Sequence, residues 1–419
     1  MKKYDEYKDS GVAWIGDVPK HWEVGKLKHC SHIVLGKMLM TSPPKGSEGS
    51  YTLEKYLKSK NVGWLQLFLE EDNIDEMWFN QYEKSIYKLQ ENDIVMNEGG
   101  DIGKVSCWRG TDFDCYIQNS INKITADYNR VNAGFLCYWL YNLSSLGYFW
   151  SIVSQISIAH LTKEKLSNSP VVLPPINEQA AIATYLDTHC AKIDNLISIQ
   201  QKRIALLQEL KQSVITHAVT KGLNPNVEMK QSGVEWIGDV PKHWEVMPFK
   251  RAMTIYNGSD YKHIQVDVAG YPVIGSGGEF ARASQYVYDG EVVLLGRKGT
   301  IDKPMYYNGK FWTVDTMFYA IPKKHVDCKY LYYQALIIPF DRYATSTALP
   351  SMTQADLNLN IIGLPPTIEQ AAIASYLDHK CATIDTSISN AQHQIDLLQE
   401  YKQSLITEVV TGKRKVNDN

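Results

Sequence analysis

The stretch LPPINEQAAIATYLDTHCAKID, residues 173–194, returns as LPPTIEQAAIASYLDHKCATID at residues 364–385. Its continuation LQELKQSVITHAVT, from Leu207, is matched by LQEYKQSLITEVVT from Leu398, so the offset stays at 191 residues without a gap. Repetition at a fixed offset indicates duplication of one structural unit. We therefore expect two halves with the same architecture.

Each repeat predicts a long α-helix. A Pro-Pro pair precedes it, and residues 178–220 and 369–411 contain neither Gly nor Pro, a pattern typical of an uninterrupted helix. At 1.5 Å per residue, a helix of about 43 residues extends roughly 65 Å. A helix of this length acts as a spacer.

A coiled-coil seam is predicted along both helices, because mostly apolar residues recur with a strict 4-3 spacing. Its positions are Leu186, Cys190, Ile193, Ile197, Gln200, Ile204 and Leu207 in the first helix and Leu377, Cys381, Ile384, Ile388, Ala391, Ile395 and Leu398 in the second. If a pseudo-two-fold axis relates the halves, the helices must run antiparallel. The middle of the seam then places Gln200 near Ala391.

The helices have more apolar surface than one partner helix can cover. Leu196, Ile199, Leu206 and Leu210 lie outside the seam positions, and the Ala-rich EQAAIA turns allow close packing. We interpret the helices as a docking surface for a partner helix. The alternative is that they only form a core.

A second repeated segment precedes each variable part of the chain. GVAWIGDVPKHWEV at residues 11–24 and GVEWIGDVPKHWEV at residues 233–246 agree at thirteen of fourteen positions, whereas residues 25–172 and 247–363 differ in length and mostly in sequence. The expected domains are a first variable domain at 1–172, a spacer helix at 173–222, a second variable domain at 223–363, and a second spacer helix with a tail at 364–419. One scaffold would thus present two different readers.

Both variable domains mix strand and helix patterns. The runs DIVM at 93–96, EVVLLGRKGTI at 291–301 and FWTVDTMFYAI at 311–321 are β-like, while residues 133–143 and the region near 329–338 favour helices. The expected fold class is α+β. It consists of two globular mixed α/β domains separated by two long antiparallel coiled-coil helices, in a pseudo-two-fold internal duplication.

The segment GRKG at 296–299 is the most suggestive candidate for a DNA contact. Glycines permit close approach of a backbone to a ligand, and Arg297 and Lys298 can contact guanine edges or phosphates. Lys104, beside GGD at 99–101, occupies a comparable place in the first domain. The alternative is that both are exposed turns, basic by chance.

Two polar segments, SQISIAHLT at 154–162 and TSTALPSMT at 345–353, lie just before the final strand of each domain. They are either DNA-facing loops or ordinary Ser/Thr turns. Their candidate DNA-binding residues are Ser157, His160, Ser346, Thr347 and Ser351.

Composition excludes several classes of protein. The seven cysteines form no CxxC pair and have no metal-ligand spacing, so we expect no metal site and a reducing cytoplasm. No run of 18 apolar residues occurs, so we expect no membrane span. The net charge of −3 counts against a dedicated nucleic-acid binder, unless basic residues cluster on one face or a partner supplies much of the phosphate contact.

Motifs for catalysis are missing from the sequence. GGDIGKV at 99–105 is not a phosphate-binding loop, because Glu98 and Val105 stand where that motif needs Gly and Ser or Thr. We find no GxSxG, HExxH or dinucleotide-binding motif. The chain is therefore expected to be non-catalytic.

The layout resembles the specificity subunit of type I restriction-modification systems. A box, a target-recognition domain and a helix, repeated twice, cover essentially the whole chain. WIGDVPKHWE, LPPxxEQAAIAxYLD, LQExKQSxITxxVT and GRKGTIDKP resemble segments of that family, although Asp302 stands where a small residue is more usual.

The resemblance implies a DNA reader within a multisubunit enzyme. Each variable domain would read one half of a bipartite site in double-stranded DNA. The helices would set the gap and dock two methyltransferase subunits, which bind S-adenosylmethionine and methylate adenine; this chain itself would bind no cofactor. Restriction subunits, with motor and endonuclease activity, would join to cleave unmodified DNA.

Two rival functions stay open at this point. A coiled-coil adaptor between proteins would have the same helices but no sequence-specific DNA binding. A two-domain nuclease or methyltransferase would need a catalytic motif that the sequence does not contain.

Overall fold

A computed structural model describes residues 3–153, 160–340 and 351–416. The chain forms two compact units, one of Met1–Ile199 with Gln394–Asn419 and the other of Gln200–His393. Each unit therefore contains one variable domain, the beginning of one long helix and the end of the other.

The first unit is a mixed α/β domain. Its strands are β1 (Tyr7–Asp9), β2 (Asp17–Pro19), β3 (Glu23–Lys26), β4 (Ser31–Leu35), β5 (Tyr51–Leu57), β6 (Asp75–Asn80), β7 (Ile94–Asn97), β8 (Val105–Cys107), β9 (Tyr116–Ile117), β10 (Ile121–Ala126) and β11 (Pro170–Leu173). Its helices are α1 (Gln81–Tyr87), α2 (Ala133–Ser145), α3 (Tyr148–Ile152), α4 (Lys163–Ser167) and the first part of α5 (Ile176–Lys221). The larger sheet has the order β4-β10-β7-β8, and a second sheet has the order β6-β5-β9.

Helix α2 packs against the larger sheet and forms much of this core. The side chain of Asn132 accepts a hydrogen bond from the backbone N–H of Phe135 and caps the helix. Phe135, Trp139 and Leu143 are fully buried and join the same apolar cluster as Ile94 of β7. Burial on nearly every side explains why the helix is almost wholly apolar.

The second unit is built on one larger sheet. Its strands are β12 (Met229–Gln231), β13 (Asp239–Pro241), β14 (Glu245–Pro248), β15 (Met253–Asn257), β16 (Gln265–Val266), β17 (Tyr271–Gly275), β18 (Gly278–Ala283), β19 (Tyr288–Gly296), β20 (Met305–Thr313), β21 (Met317–Pro322) and β22 (Ile361–Leu364). Its helices are α6 (Cys328–Ala335), α7 (Gln354–Leu359) and α8 (Thr367–Val410), the last of which ends in the first unit. Seven strands follow the order β15-β21-β19-β20-β17-β18-β16 among the described residues.

The interior strand β19 is buried on both faces of this sheet from Val292 to Gly296. Val293 and Leu295 pack into a cluster with Leu331 of α6, whereas Val292 and Leu294 belong to the cluster on the other face. Successive side chains of a strand point to opposite faces, so a continuous apolar run is what a strand covered on both sides requires.

The apolar run at 311–321, predicted as one β-like segment, is two strands. β20 ends at Thr313 and β21 begins at Met317, whose N–H donates to the carbonyl of Val314 across the intervening turn. The two strands lie on either side of β19. Asp315 is a turn-forming residue within this stretch, and the prediction of a single β-like segment overlooked it.

Strands at the two ends of each variable domain pair with each other. β3 pairs with β11, with Glu23 opposite Leu173, and β14 pairs with β22, with Glu245 opposite Leu364. Both pairs are antiparallel. The chain therefore enters and leaves each variable domain side by side, at the base of the long helix that follows.

Within each unit the two helix segments run antiparallel, as predicted. In the second unit Lys211 binds Asp385 at 2.7 Å, and Gly222, just beyond α5, lies against Glu369 near the start of α8. In the first unit Lys402 binds Asp194 at 2.7 Å. Each ion pair maps onto the other through the 191-residue offset, so the pseudo-two-fold duplication extends to side-chain contacts.

The seam positions differ in burial along the helices. Leu186, Cys190, Ile193, Leu377, Cys381, Ile384, Ala391 and Ile395 are buried, and Ile197, Gln200, Ile204, Leu207, Ile388 and Leu398 are half-buried. The Oε1 atom of Gln200 is enclosed and has no hydrogen-bond partner among the described residues. Its proximity to Ala391 stays a prediction.

No helix in the described part of the chain combines the length and apolar character that crossing a bilayer requires.

Candidate nucleic-acid interface

A repeated carboxylate joins each box, the repeated segment at residues 11–24 or 233–246, to the long helix of its unit. Glu178 of α5 accepts a hydrogen bond from Nε1 of Trp22 at 3.2 Å and lies 2.9 Å from Nε2 of His21. In the second unit Glu369 accepts from Trp244 at 3.1 Å and lies 2.7 Å from His243. Both tryptophans are fully buried. The box and the EQAAIA segment thus form one anchor, present twice.

The neighbouring glutamine fixes the variable domain itself. Gln179 is fully buried; its Oε1 accepts from the backbone N–H of Asn132, and its Nε2 donates to the carbonyl of Pro174. Gln370 makes the equivalent bonds with Asp327 and Pro365. Asn132 and Asp327 are the N-cap residues of α2 and α6, so each glutamine ties a domain helix to the long helix.

A third repeated contact uses the Asp of the YLD triplet. Tyr138 donates from its hydroxyl to Asp187 at 2.8 Å, and Tyr333 donates to Asp378 at 2.8 Å. Burial raises the pKa of both phenols well above the usual range, and the carboxylates of Asp187 and Asp378 are among the further causes that raise it. Both tyrosines therefore remain protonated donors near neutral pH.

These anchors were not predicted as functional residues. Glu, Gln and Asp in a long helix have the pattern of a solvated face. The available signal was that all three recur at the same places in both repeats.

The second domain places three of the candidate DNA-binding residues together. Arg297 follows β19, and its carbonyl accepts from the N–H of Met352 at 2.9 Å, while Lys298 and Ser351 form a backbone bridge. Lys298 is exposed and Ser351 is half-buried. This places a basic turn beside the polar segment, as a binding loop would require.

Arg297 has contacts within the domain as well. Its Nη1 donates to the carbonyl of Asp315 at 3.2 Å, and its guanidinium lies 5.8 Å from the ring centroid of Phe318. These contacts hold the turn between β20 and β21. Lys298 is therefore the freer of the two cations to reach a phosphate.

The first domain contains the same arrangement with different side chains. The carbonyl of Glu98, just after β7, accepts from the N–H of Leu161 at 2.7 Å. Leu161 and Met352 are related by the 191-residue offset, so Glu98 and Arg297 occupy equivalent positions. His160, the counterpart of Ser351, lies 2.7 Å from Glu98.

Lys104 is close to this loop but already has a partner. Its Nζ lies 2.5 Å from Asp101 Oδ2, with the lysine side chain 28% exposed. A DNA phosphate would have to compete with that carboxylate. The candidates Ser157, Ser346 and Thr347 lie outside the described residues.

The candidate loops lie at the end of each domain opposite the helix anchor. β21 begins at Met317, which pairs with Gly296 of β19 beside the GRKG turn. Beyond the other end of β21 lies His325, whose backbone carbonyl accepts a hydrogen bond from Gln370 of the helix anchor. In the first domain β10 begins at Ile121, opposite Asn97, and leads toward Arg130, whose carbonyl accepts from Gln179. One end of each domain is therefore anchored and the other presents polar loops.

Among the described residues, no group of three or more His, Cys, Asp or Glu side chains could hold a metal ion.

Specificity subunits of type I restriction enzymes are similar in sequence to this chain. A type I restriction enzyme specificity subunit of Methanocaldococcus jannaschii, MjaVIII, is 23% identical over 96% of this chain and 95% of that protein. The EcoDI specificity subunit of Escherichia coli is 23% identical over 61% of this chain and 65% of its own length.

Solved structures share the fold. A chain from work on complex assembly and conformational transition of the type I R-M system aligns with a TM-score of 0.71 at 15% identity, covering 94% of this chain and 98% of that one. The HsdS subunit of Thermoanaerobacter tengcongensis aligns with a TM-score of 0.51, also at 15% identity, over 95% and 98%. At these identities the likeness shows the fold alone.

The family assignment rests on most of the chain. Residues 19–209 and 241–395 match the type I restriction modification DNA specificity domain, and each match spans one variable domain and much of the helix that follows it. The chain belongs to the type I restriction-modification DNA specificity family.

Proposed function

We propose that each variable domain reads one half of a bipartite site in double-stranded DNA, and that the long helices set the gap and dock two methyltransferase subunits. The observation that carries this proposal is the duplicated anchor, in which Glu178 and Glu369 hold two dissimilar domains through the same contacts. Two variable domains of different sequence held by the same contacts suit a DNA site with two different halves.

The long helices suit the spacing of such a site. Two-fold-related DNA readers contact half-sites about one helical turn, roughly 34–36 Å, or a multiple of it apart. A continuous helix spaces its ends stiffly, so a fixed number of base pairs between the half-sites is expected.

Exposed apolar side chains support docking of a partner on the helices. On α5, Leu196 and Ile199 are exposed in the first unit and Leu206 and Leu210 in the second. Such residues stabilise a helix–helix interface once they are covered. We propose that methyltransferase subunits cover them and supply S-adenosylmethionine, and that restriction subunits join this assembly.

The direct test is to co-express the chain with a methyltransferase subunit of a type I system and to map N6-methyladenine across plasmid DNA. The expected result is methylation confined to a two-part motif with a fixed gap. A stable complex that methylates no motif would contradict the proposal and favour a protein adaptor. Activity of the purified chain alone would favour an enzyme.

Lys298→Ala is expected to weaken DNA binding by the complex in a salt-dependent way. Because one phosphate contact contributes a slope of about −0.9 in the logarithm of the association constant against the logarithm of the salt concentration, the slope should become shallower by about one. Fluorescence anisotropy with a labelled duplex that contains the mapped site, at 50–200 mM salt, measures this. Base preference should remain unchanged, since phosphate contacts set register only.

Lys324→Ala is the matched control, because this exposed lysine follows the other end of β21, near the anchor. It should bind with the slope of the unmodified complex. Equal slopes for Lys298→Ala and the unmodified complex would show that Lys298 contacts no phosphate.

A further inference from the structure

A histidine and a nearly buried carboxylate form a couple at the loop end of the first domain. Nδ1 of His160 lies 2.7 Å from Oε2 of Glu98; the histidine side chain is 50% exposed and that of Glu98 only 11%. The backbone holds Glu98 from both sides, because its N–H donates to Ser120 and its carbonyl accepts from Leu161. The carboxylate is therefore fixed beneath a ring that solvent reaches.

The carboxylate determines which ring nitrogen carries the proton. An ionised carboxylate only accepts hydrogen bonds, so Nδ1 must be the donor, and in the neutral ring Nε2 is left as an acceptor. Gly99 permits this approach, since a Cβ at that position would lie 3.3 Å from Nδ1. The couple thus has a definite hydrogen-bonding direction.

The same structural position has different chemistry in the second domain. Arg297 replaces Glu98 and Ser351 replaces His160, while the backbone hydrogen bonds to Leu161 and Met352 are kept. A position whose backbone is held constant and whose side chains differ is where two readers would gain different preferences. Amino groups of adenine and cytosine are donors in the major groove, whereas guanine and thymine present acceptors at the corresponding positions.

We propose that His160 accepts a hydrogen bond through Nε2 from the amino group of an adenine or a cytosine in the half-site of the first domain. Glu98 is the positioning residue that fixes the tautomer. This inference rests on the proposed function and names the base chemistry of one contact within it.

The test selects duplexes from a library randomised at both half-sites, using the complex of this chain with its methyltransferase subunit, and sequences the bound pool. With His160→Ala, discrimination at one position of the first half-site should fall roughly five- to tenfold, the scale of one hydrogen bond. With Glu98→Gln, the same position should relax, because an amide both donates and accepts and no longer specifies the tautomer. All other positions should keep their preferences.

Ser351→Ala is the matched control, and it should leave the first half-site unchanged. If the unmodified complex selects no bipartite motif, the proposed function itself fails. If it selects a motif that His160→Ala leaves intact, or if a duplex whose adenine or cytosine at the affected position lacks the exocyclic amino group binds equally well, this inference is overturned. His160 is exposed, so His160→Ala should have the melting temperature of the unmodified protein. That measurement distinguishes loss of a DNA contact from loss of folding.

Discussion

Glutamate at both Leu206 and Leu210 is expected to weaken docking of one methyltransferase copy by on the order of 100-fold or more. The two leucines are 64% and 50% exposed on α5 of the second unit. Covering a leucine fully contributes about 1.5–3 kcal/mol, and the substituted carboxylates would have to lose water without a partner. Native mass spectrometry of the complex should therefore show at most one methyltransferase copy per chain instead of two.

The control places the same charges on the other side of the helix. Gln201 and Gln208 are exposed on α5, and at 100° per residue they lie well away from the face of Leu206 and Leu210. Gln201→Glu with Gln208→Glu should retain two copies. Two copies in the Leu206→Glu, Leu210→Glu variant would show that docking uses another surface.

Alanine at Trp244 is expected to lower the free energy of unfolding of the second unit by about 3–5 kcal/mol, as for other buried aromatic side chains. Trp244 is 1% exposed within the cluster of Val240, Tyr330 and Leu377, and its loss also removes the hydrogen bond to Glu369. Thermal unfolding by differential scanning calorimetry should show a transition at lower temperature.

Trp22→Ala is the matched variant, because Trp22 makes the equivalent bond in the first unit. Hydrogen exchange should assign its loss of protection to the first unit, and that of Trp244→Ala to the second. Trp236 is only half-buried, so Trp236→Ala should cost clearly less. Equal losses for Trp236→Ala and Trp244→Ala would show that the anchor contributes little.

The long helices were predictable because their signals are local. The Pro-Pro starts, the absence of Gly and Pro, and the 4-3 spacing all lie within one segment. The helices begin at Ile176 and Thr367, directly after the proline pairs. Duplication then implied antiparallel pairing, and the Lys211–Asp385 and Lys402–Asp194 ion pairs confirm it within each unit.

The sheets were not predictable, since their order depends on pairing between distant segments. β15 pairs with β21, although Met253 and Pro322 are far apart in sequence. Nothing in the run 291–321 indicates that β19 lies between the two strands that follow it. Local patterns identified strands, but their neighbours are a property of the folded domain.

The fold brings the candidate loops of the second domain together, which the sequence did not predict, and the side chains of the candidate residues have unforeseen contacts. The sequence placed GRKG beside no particular partner, whereas the fold brings Lys298 to Ser351. Arg297 is held by Asp315 and Phe318, and Lys104 by Asp101. DNA binding by these residues stays a prediction.

The side-by-side entry and exit of each variable domain has a consequence for how new specificities arise. Because β3 pairs with β11 and β14 with β22, an insert of any length between those strands returns the chain to the same starting point of the helix. If the domains read half-sites as proposed, gene segments exchanged at these boundaries would act as cassettes that each encode a new half-site, while the anchors and the long helices are inherited unchanged.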